Sequence, residues 1–185
     1  MKRIVAVLLL LMVLTGCAGG EEEMNRAMAL RTKLQGQAVS FDGDITADYG
    51  DKTFQFSLNC RVDKQGNMTF TVQQPEAIAG ITGTVSATGG KLTFDKEALA
   101  FEWMADGQIS PVAAPWVLMH TLRSGYLTSC GREGEILRMA IDDSYADDAL
   151  HLDIWLDEQD LPKYAEILWQ GRRILSIKVK NFQFV

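Results

Sequence analysis

Apolar and polar residues alternate with a period of two along much of the chain, beginning near residue 38. Segments 39–49, 54–62 and 68–72 each carry an apolar side chain at nearly every second position, with polar residues between them. Glycine-containing turn sequences at 49–52 and 64–67 separate the three segments. Because successive side chains of a strand point to opposite faces, the pattern predicts three antiparallel strands with one apolar face.

The same alternation returns further along the chain and predicts the remaining strands. It covers segments 81–85, 92–94, 99–103, 137–141, 150–156, 163–169 and 175–179. Residues 131–134 predict a hairpin turn, and Pro162 is expected to precede a strand. Near Lys180 the alternation slips to Phe182 and Phe184, which predicts a β-bulge.

Two segments instead follow a helical period. In residues 24–34 the apolar positions recur every three or four residues, and Gly36 is a fitting stop. Residues 110–123 predict a second helix that begins with Pro111 or Pro115 in its first turn and ends at Gly125. This second segment has almost no polar face, so it is expected to make contacts on several sides.

Together these elements predict an α+β fold that is mostly β. A sheet of about nine to eleven antiparallel strands with a continuous apolar face must curl. The two helices are the available cover for its concave side. We therefore expect a large curved antiparallel sheet, an incomplete barrel, formed by one domain over residues 24–185.

The N-terminus predicts export and lipid attachment. Lys2 and Arg3 precede an apolar run over 4–14, which is shorter than the ~20 residues of a membrane span. Residues 14–17, Leu-Thr-Gly-Cys, match a lipobox, in which the cysteine receives a diacylglyceryl group before cleavage. We predict a signal peptide over 1–16, a lipidated and palmitate-bearing Cys17, and a flexible tether over 17–23. An ordinary signal peptide or N-terminal anchor with a chance cysteine is the alternative.

The negative net charge of the chain argues against nucleic acid and anionic lipid headgroups as partners. The formal net charge of the chain is -6, and loss of 1–16 removes Lys2 and Arg3, leaving -8 from 16 basic and 24 acidic residues. Nucleic-acid binding needs clustered cations, so no nucleic acid is expected. Anionic headgroups would not attract this chain either, so the membrane is expected to be reached through the N-terminal lipid.

The layout resembles a known superfamily. A lipobox leader, a helix entering AVSFDGDITADY, the meander KTFQFSLNCRVDKQGNMTFTV, a mid-chain helix and a strand-rich end are similar to LolA/LolB-like proteins. That superfamily includes lipoprotein carriers, outer-membrane lipoprotein receptors and germination lipoproteins. The resemblance implies an incomplete barrel covered by helices. Residues 75–80 lack the aromatic-rich strand that is usual in the carriers after the first proline.

Catalytic and metal-binding signatures are missing from the sequence. His120 and His151 have no second ligand at helical or hairpin spacing, and Cys60 and Cys130 form no Cys-x-x-Cys unit. No nucleophile motif is present, and the acidic run at 142–148 lacks a calcium-loop spacing. We predict a protein that is not an enzyme and has no metal or cofactor. An extracytoplasmic location would permit a Cys60–Cys130 disulfide, with two unpaired cysteines as the alternative.

The apolar face of the predicted sheet supplies the candidate functional residues. Large apolar side chains there are candidate ligand contacts: Phe41, Phe54, Phe56, Phe70, Trp116 and Met119. They form either an ordinary core or a cavity for an acyl chain or another apolar ligand. The alternative function is a protein-interaction module that recruits or regulates a cell-wall or spore-cortex enzyme. Either role places the protein outside the cytoplasm, lipid-anchored to the bacterial cell membrane, or to the outer membrane in a two-membrane organism.

Overall fold

The computed structural model describes residues 20–105 and 108–185, and the predicted signal peptide and Cys17 lie outside these ranges. Two α-helices are described, α1 (Glu21–Gly36) and α2 (Ala114–Ser124), with 3-10 turns at Glu76–Ile78 and Pro111–Ala113. The strands are β1 (Val39–Asp48), β2 (Thr53–Val62), β3 (Met68–Gln74), β4 (Thr82–Ser86), β5 (Gly89–Phe94), β6 (Glu97–Phe101), β7 (Met104–Ala105), β8 (Gln108–Ile109), β9 (Tyr126–Glu133), β10 (Ile136–Asp142), β11 (Leu150–Leu156), β12 (Pro162–Trp169) and β13 (Arg172–Phe184).

One sheet contains eleven of these strands, in the order β6-β5-β4-β3-β2-β1-β13-β12-β11-β10-β9. Every neighbouring pair is antiparallel. The sheet therefore consists of two meanders, β1–β6 and β9–β13, joined where the first strand pairs with the last. Strands β6 and β9 remain as its edges, so the sheet is not closed into a barrel. This confirms the predicted fold class.

The alternation of the sequence decides which side chains face the helices. Along β1, buried and half-buried residues alternate without exception. The buried residues of β1, β2 and β3 share one face, because Phe41 pairs with Cys60 and Cys60 pairs with Phe70. We call this helix-side face the inner face. Its side chains join those of both helices in one core cluster, so the sheet curves around the helices.

Several predicted boundaries move in the structure. Helix α1 begins at Glu21, so Glu21–Glu23 form its first turn instead of the end of the predicted tether. Three carboxylates suit this position because the helix N-terminus carries positive partial charge. The predicted turn at 131–134 is wrong in its first part, since β9 continues to Glu133 and the chain turns at Gly134, where φ is 64°. Pro162 is the first residue of β12 rather than the residue before it.

The predicted bulge in the last strand is confirmed. Between Ser40 and Asp42 of β1, the partner on β13 changes from Gln183 to Lys180. Strand β13 therefore contains one extra residue, at Asn181, whose φ is 52°. The amide Nδ2 of Asn181 donates to Asp42 Oδ2 at 2.7 Å, which compensates for the lost ladder bond.

Candidate functional site

Helix α2 fills the space inside the curved sheet. Nine of its eleven residues are buried, and Leu118, Met119 and Leu122 are enclosed almost completely. The sequence of α2 has almost no polar face, and such a helix needs contacts on several sides. The burial of α2 agrees with this prediction. The helix belongs to the same core cluster as the inner face of both meanders.

Polar contacts fix the two ends of α2. At its C-terminal end, the buried guanidinium of Arg123 donates to the carbonyls of Asp63 (2.7 Å) and Gln37 (3.0 Å). Nearer its start, the indole N–H of Trp116 donates to the carbonyl of Gly66 at 2.9 Å. Both ends are therefore attached to the turn between β2 and β3, which restricts movement of α2 away from the sheet.

Helix α1 adds a second set of attachments. Arg31 Nε donates to the carbonyl of Leu122 at 3.0 Å, and Gln35 Nε2 donates to that of Arg123 at 3.0 Å. These carbonyls lie in the last turn of α2, where they have no partner within the helix. Burial lowers the pKa of the Arg31 guanidinium.

Four of the six predicted ligand contacts lie inside the packed core. Phe41 and Met119 are 1% exposed, and Phe70 and Trp116 are 3% exposed. Their role as ligand contacts stays a prediction, and it requires α2 to move away from the sheet. Phe54 and Phe56 differ, because Phe54 is 42% exposed and Phe56 is half-buried at the margin of the core.

An open apolar surface lies on the inner face of β4–β6. Leu92 pairs with Gly83 on one side and with Leu99 on the other, and Gly83 pairs with the buried Phe70. Leu92, Leu99 and Phe94 therefore face the same way as the core, yet Leu99 and Phe94 are each 65% exposed. Ile81, one residue before β4, is half-buried beside them. We call these four residues, Ile81, Leu92, Phe94 and Leu99, the open strip.

Sequence reasoning placed the open strip on strands but missed it as a site. The alternation puts Leu92, Phe94 and Leu99 on the apolar face, which is the signal that a sequence can give. Whether a helix covers a given stretch of that face depends on the tertiary structure. Phe54 and Phe56 lie on the same face, on β2.

Clefts of about 290 to 470 Å³ open on the surface of the described chain. The cleft of about 440 Å³ lies over β2–β5 and is lined mainly by outward polar side chains, among them Asn59, Arg61 and Lys91. Trp116 and Met119 line none of these five clefts. Two other predicted ligand contacts do line clefts: Phe70 borders the cleft of about 440 Å³, and Phe56 borders one of about 450 Å³.

The predicted disulfide is not formed. Cys60 and Cys130 are both free, on β2 and β9, which are six positions apart in the strand order. Cys60 is enclosed by the core, and this burial raises the pKa of its thiol. Cys130 is half-buried, and its thiol donates to the carbonyl of Glu23 at 3.4 Å. Cys60 is therefore packed in the core, and Cys130 is hydrogen-bonded to helix α1.

The histidines and several charged side chains contact neighbours within the fold. His151 Nδ1 lies 2.7 Å from Asp142 Oδ1, and Arg138 donates to Asp153 at 2.7 Å. His120 stacks on Trp116 with ring centroids 4.8 Å apart, and burial lowers its pKa. Among residues 20–105 and 108–185, no three His, Cys, Asp or Glu side chains are grouped so that they could hold a metal ion.

Helices α1 and α2 are the two α-helices of the described ranges. Neither α1 nor α2 has the length and the apolar character that a bilayer span needs.

Comparison with known proteins gives matches of fold. A LolA superfamily protein from Nitrosomonas europaea is 8% identical with a TM-score of 0.47, covering 86% of this chain and 93% of that one. A DUF1329 family protein from Desulfovibrio piger is 9% identical with a TM-score of 0.48, covering 89% and 92%. Lipoprotein LppX from Mycobacterium tuberculosis is 12% identical with a TM-score of 0.40, covering 86% and 91%.

The sequence itself gives no such match. No family model matches it, and no curated protein does. The three structural matches have identities of 8% to 12% and TM-scores of 0.40 to 0.48. At these identities the likeness is one of fold alone.

Proposed function

We propose that this chain is a non-catalytic, membrane-anchored lipoprotein of the cell envelope that binds an acyl chain or a similar apolar ligand on the open strip. The observation that carries the proposal is the exposure of Phe94 and Leu99, 65% each, on the face that elsewhere forms the core. Exposed apolar side chains that adjoin each other often mark a binding surface.

The binding energy would come from removing methylene groups and side chains from water. Full burial of one large apolar side chain contributes about 1.5–3 kcal/mol, and each ligand methylene about 0.8 kcal/mol. The strip begins beside Phe70, which belongs to the core, so a ligand chain there would extend the existing apolar layer. No helix movement is needed for this mode of binding.

Ligand binding is tested with dansyl-labelled undecanoic acid, whose fluorescence rises in an apolar site. We expect the Phe94→Ser, Leu99→Ser double variant to bind at least tenfold more weakly, since about 1.4 kcal/mol corresponds to tenfold. The Met28→Ser, Ile136→Ser double variant is the control, because both residues are exposed apolar side chains outside the strip. Equal affinity of all three proteins would refute the proposal.

A third variant separates the open strip from the site predicted beneath α2. Met119→Ala changes a residue that is 1% exposed, lies outside the open strip, and would line a ligand site beneath α2. We expect unchanged affinity, with folding checked by circular dichroism. Loss of binding in the folded Met119→Ala protein but not in the Phe94→Ser, Leu99→Ser protein would place the ligand beneath α2.

The lipid anchor is a separate part of the proposal. It rests on the lipobox at residues 14–17 and on the basic and apolar segments before it. Cells grown with radiolabelled palmitate should label the wild-type chain, and the Cys17→Ser variant should lose the label and leave the membrane fraction. Labelling of the Cys17→Ser protein would remove the anchor from the proposal.

The alternative role, recruitment of an envelope enzyme, has less structural support. Trp155 pairs with Arg138 and lies on the face opposite to that of its neighbour Ile154, which pairs with the buried Met139. Its indole N–H donates to Glu133 Oε2 at 2.7 Å, Arg138 lies 5.4 Å from its ring, and Tyr164 lies 5.3 Å away. Trp155 is thus held by contacts within its own chain.

A further inference from the structure

The two edges of the large sheet differ in protection. Edge strand β9 has an extra residue, Thr128, where its register with β10 shifts, and it carries charged residues at its end. Arg132 of β9 is also paired with Glu23 of helix α1 at 2.8 Å. Bulges, charges and neighbouring elements are the means by which proteins block pairing at an edge. Edge β9 is therefore protected.

Edge strand β6 is less protected, because it has no bulge and its one charged residue is Glu97 at its start. Its sequence, Glu-Ala-Leu-Ala-Phe, contains no lysine and no proline, and its five pairs with β5 run without a register shift. Four of its five residues are exposed. An exposed, regular and mainly apolar edge is a template for an added strand.

The hairpin between β5 and β6 shows which backbone groups of this edge are free. Its loop consists of two residues, Asp95 and Lys96, both with positive φ. In a hairpin with a two-residue loop, the residue pair that flanks the loop, here Phe94 and Glu97, is hydrogen-bonded. Along the two strands, hydrogen-bonded pairs then alternate with non-hydrogen-bonded pairs. Glu97, Leu99 and Phe101 therefore bond to β5. Ala98 and Ala100 direct their N–H and C=O groups to the open side.

We propose that β6 pairs antiparallel with β6 of a second copy of this chain, about a two-fold axis at Leu99. This register places Ala98 opposite Ala100 of the partner subunit, so the free groups of both strands meet in hydrogen-bonded pairs. Leu99 lies opposite Leu99 of the partner subunit in a non-hydrogen-bonded pair, where side chains approach most closely. A two-fold contact of this kind closes and adds no further copies.

Charge supports the same register independently. Lys96, the loop residue just before β6, then comes near Glu102 of the partner subunit, because Glu102 directly follows β6, and the symmetric pair forms at the other end. Within the described ranges, neither residue has an ion-pair partner in its own chain. Opposite charges across a strand pair stabilise it, and like charges destabilise it. Glu97 faces Phe101 of the partner subunit rather than a second carboxylate.

Dimerisation would leave the inner face accessible and extend the open strip. Pairing at the edge adds strands beside β6, so Leu99 and Leu92 of each copy would continue across the axis. The exposed Leu99 would gain a neighbour of its own kind. The contact does not depend on the bound ligand, because it uses backbone groups and two ion pairs.

Charge reversal tests the register on the full chain, with mass measured by light scattering after detergent extraction. Lys96→Glu and Glu102→Lys each oppose like charges twice across the axis, and we expect each to weaken dimerisation about tenfold or more. The double variant Lys96→Glu, Glu102→Lys restores opposite charges and should restore the dimer. A monomeric wild-type chain, or a double variant no better than the single ones, overturns the proposal.

Oxidative cross-linking in membranes gives a second test. In the Leu99→Cys variant the two thiols would face each other across the axis and should form a disulfide-linked dimer. Tyr145→Cys is the matched control, because Tyr145 is 82% exposed and lies in a loop far along the chain from β6. The wild-type chain gives the background from its own cysteines. Cross-linking of Leu99→Cys no greater than that of Tyr145→Cys contradicts the proposed axis.

Discussion

Arg123 illustrates how a single buried side chain connects three parts of this fold. The residue is 8% exposed, and its guanidinium donates to the carbonyls of Asp63 and Gln37, at the β2–β3 turn and just after α1. Burial lowers its pKa, with Asp63 acting in the opposite direction. Since arginine remains charged in proteins, the two carbonyls have a permanently charged donor.

Replacement of Arg123 should therefore be costly. Arg123→Ala leaves two carbonyls without their charged donor, and we expect a loss of about 3 kcal/mol in the free energy of unfolding. Arg123→Lys keeps the charge but not the two-pronged geometry, so it should lose less. Urea denaturation followed by circular dichroism measures both. An alanine variant as stable as wild type would contradict this account.

Glu23 provides a residue-scale dependence on pH. Its carboxylate is nearly enclosed and accepts from Arg132 Nε at 2.8 Å, and this hydrogen bond is the main cause that lowers the pKa of Glu23. A carboxyl with a lower pKa in the folded state stabilises the fold above its unfolded pKa. That stability is lost as the pH falls through the folded pKa.

We therefore expect the Tm of wild type to fall below about pH 4, partly through protonation of Glu23. Glu23→Gln should have a lower Tm than wild type at pH 7, and the difference should shrink as the pH is lowered. Thermal melts from pH 7 to pH 3 measure this. Glu21→Gln is the control, because Glu21 is exposed in the same turn. A Tm difference independent of pH would exclude the ion pair as its cause.

At the scale of elements, β3, β4 and β5 pack closely because Gly83 of β4 has no side chain. A Cβ added at Gly83 would lie 2.4 Å from Phe70 Cζ and 2.7 Å from the backbone oxygen of Lys91. The ring of Phe70 therefore lies across β4, at the point where the core passes into the open strip. The glycine is required by close approach of the ring rather than by a positive φ.

Gly83→Ala should destabilise this group of strands. We expect a loss of about 1–3 kcal/mol, as for other overpacked sites. Because the nearest atom belongs to the Phe70 ring, adding Phe70→Leu should recover part of the loss, although Phe70→Leu alone is destabilising. Chemical denaturation of the four proteins gives the coupling energy of the cycle. Additive effects would show that the backbone of Lys91, not the ring, sets the limit.

At the scale of the whole molecule, both meanders share one interior. Helix α2 lies between them in the chain, and its buried side chains join the inner faces of β1–β3 and β9–β13 in a single core cluster. Neither meander has a separate core of its own. Loss of packing at α2 should therefore affect the whole described fold together.

The Leu118→Ala variant tests whether the two meanders unfold as one unit. Leu118 is fully buried in α2, and we expect a loss of about 2–5 kcal/mol from the cavity that its truncation leaves. Near-ultraviolet and far-ultraviolet circular dichroism should still report one coincident transition. Two separated transitions would show that the meanders unfold independently.

The sequence by itself determined most strands of the large sheet, the inner face and the two helices, because side-chain periodicity is a local property. It did not predict β7 and β8, and the strand predicted over 99–103 ends at Phe101. The alternation from Val39 onward, the slip near Lys180 and the apolar segment before Gly125 each led to the observed element. It also supplied the Cys17 prediction, which lies outside the described residues. The turn predicted at 131–134 begins later in the structure, since β9 keeps its pairing with β10 up to Glu133.

Only the tertiary structure decided which parts of the inner face are covered. Phe70 and Phe94 follow the same alternation, yet Phe70 is packed in the core and Phe94 is open to solvent. Likewise, Cys60 and Cys130 both face inward, but the strand order separates β2 from β9. Coverage and separation depend on contacts between residues distant in the chain, and a local period carries no information about them.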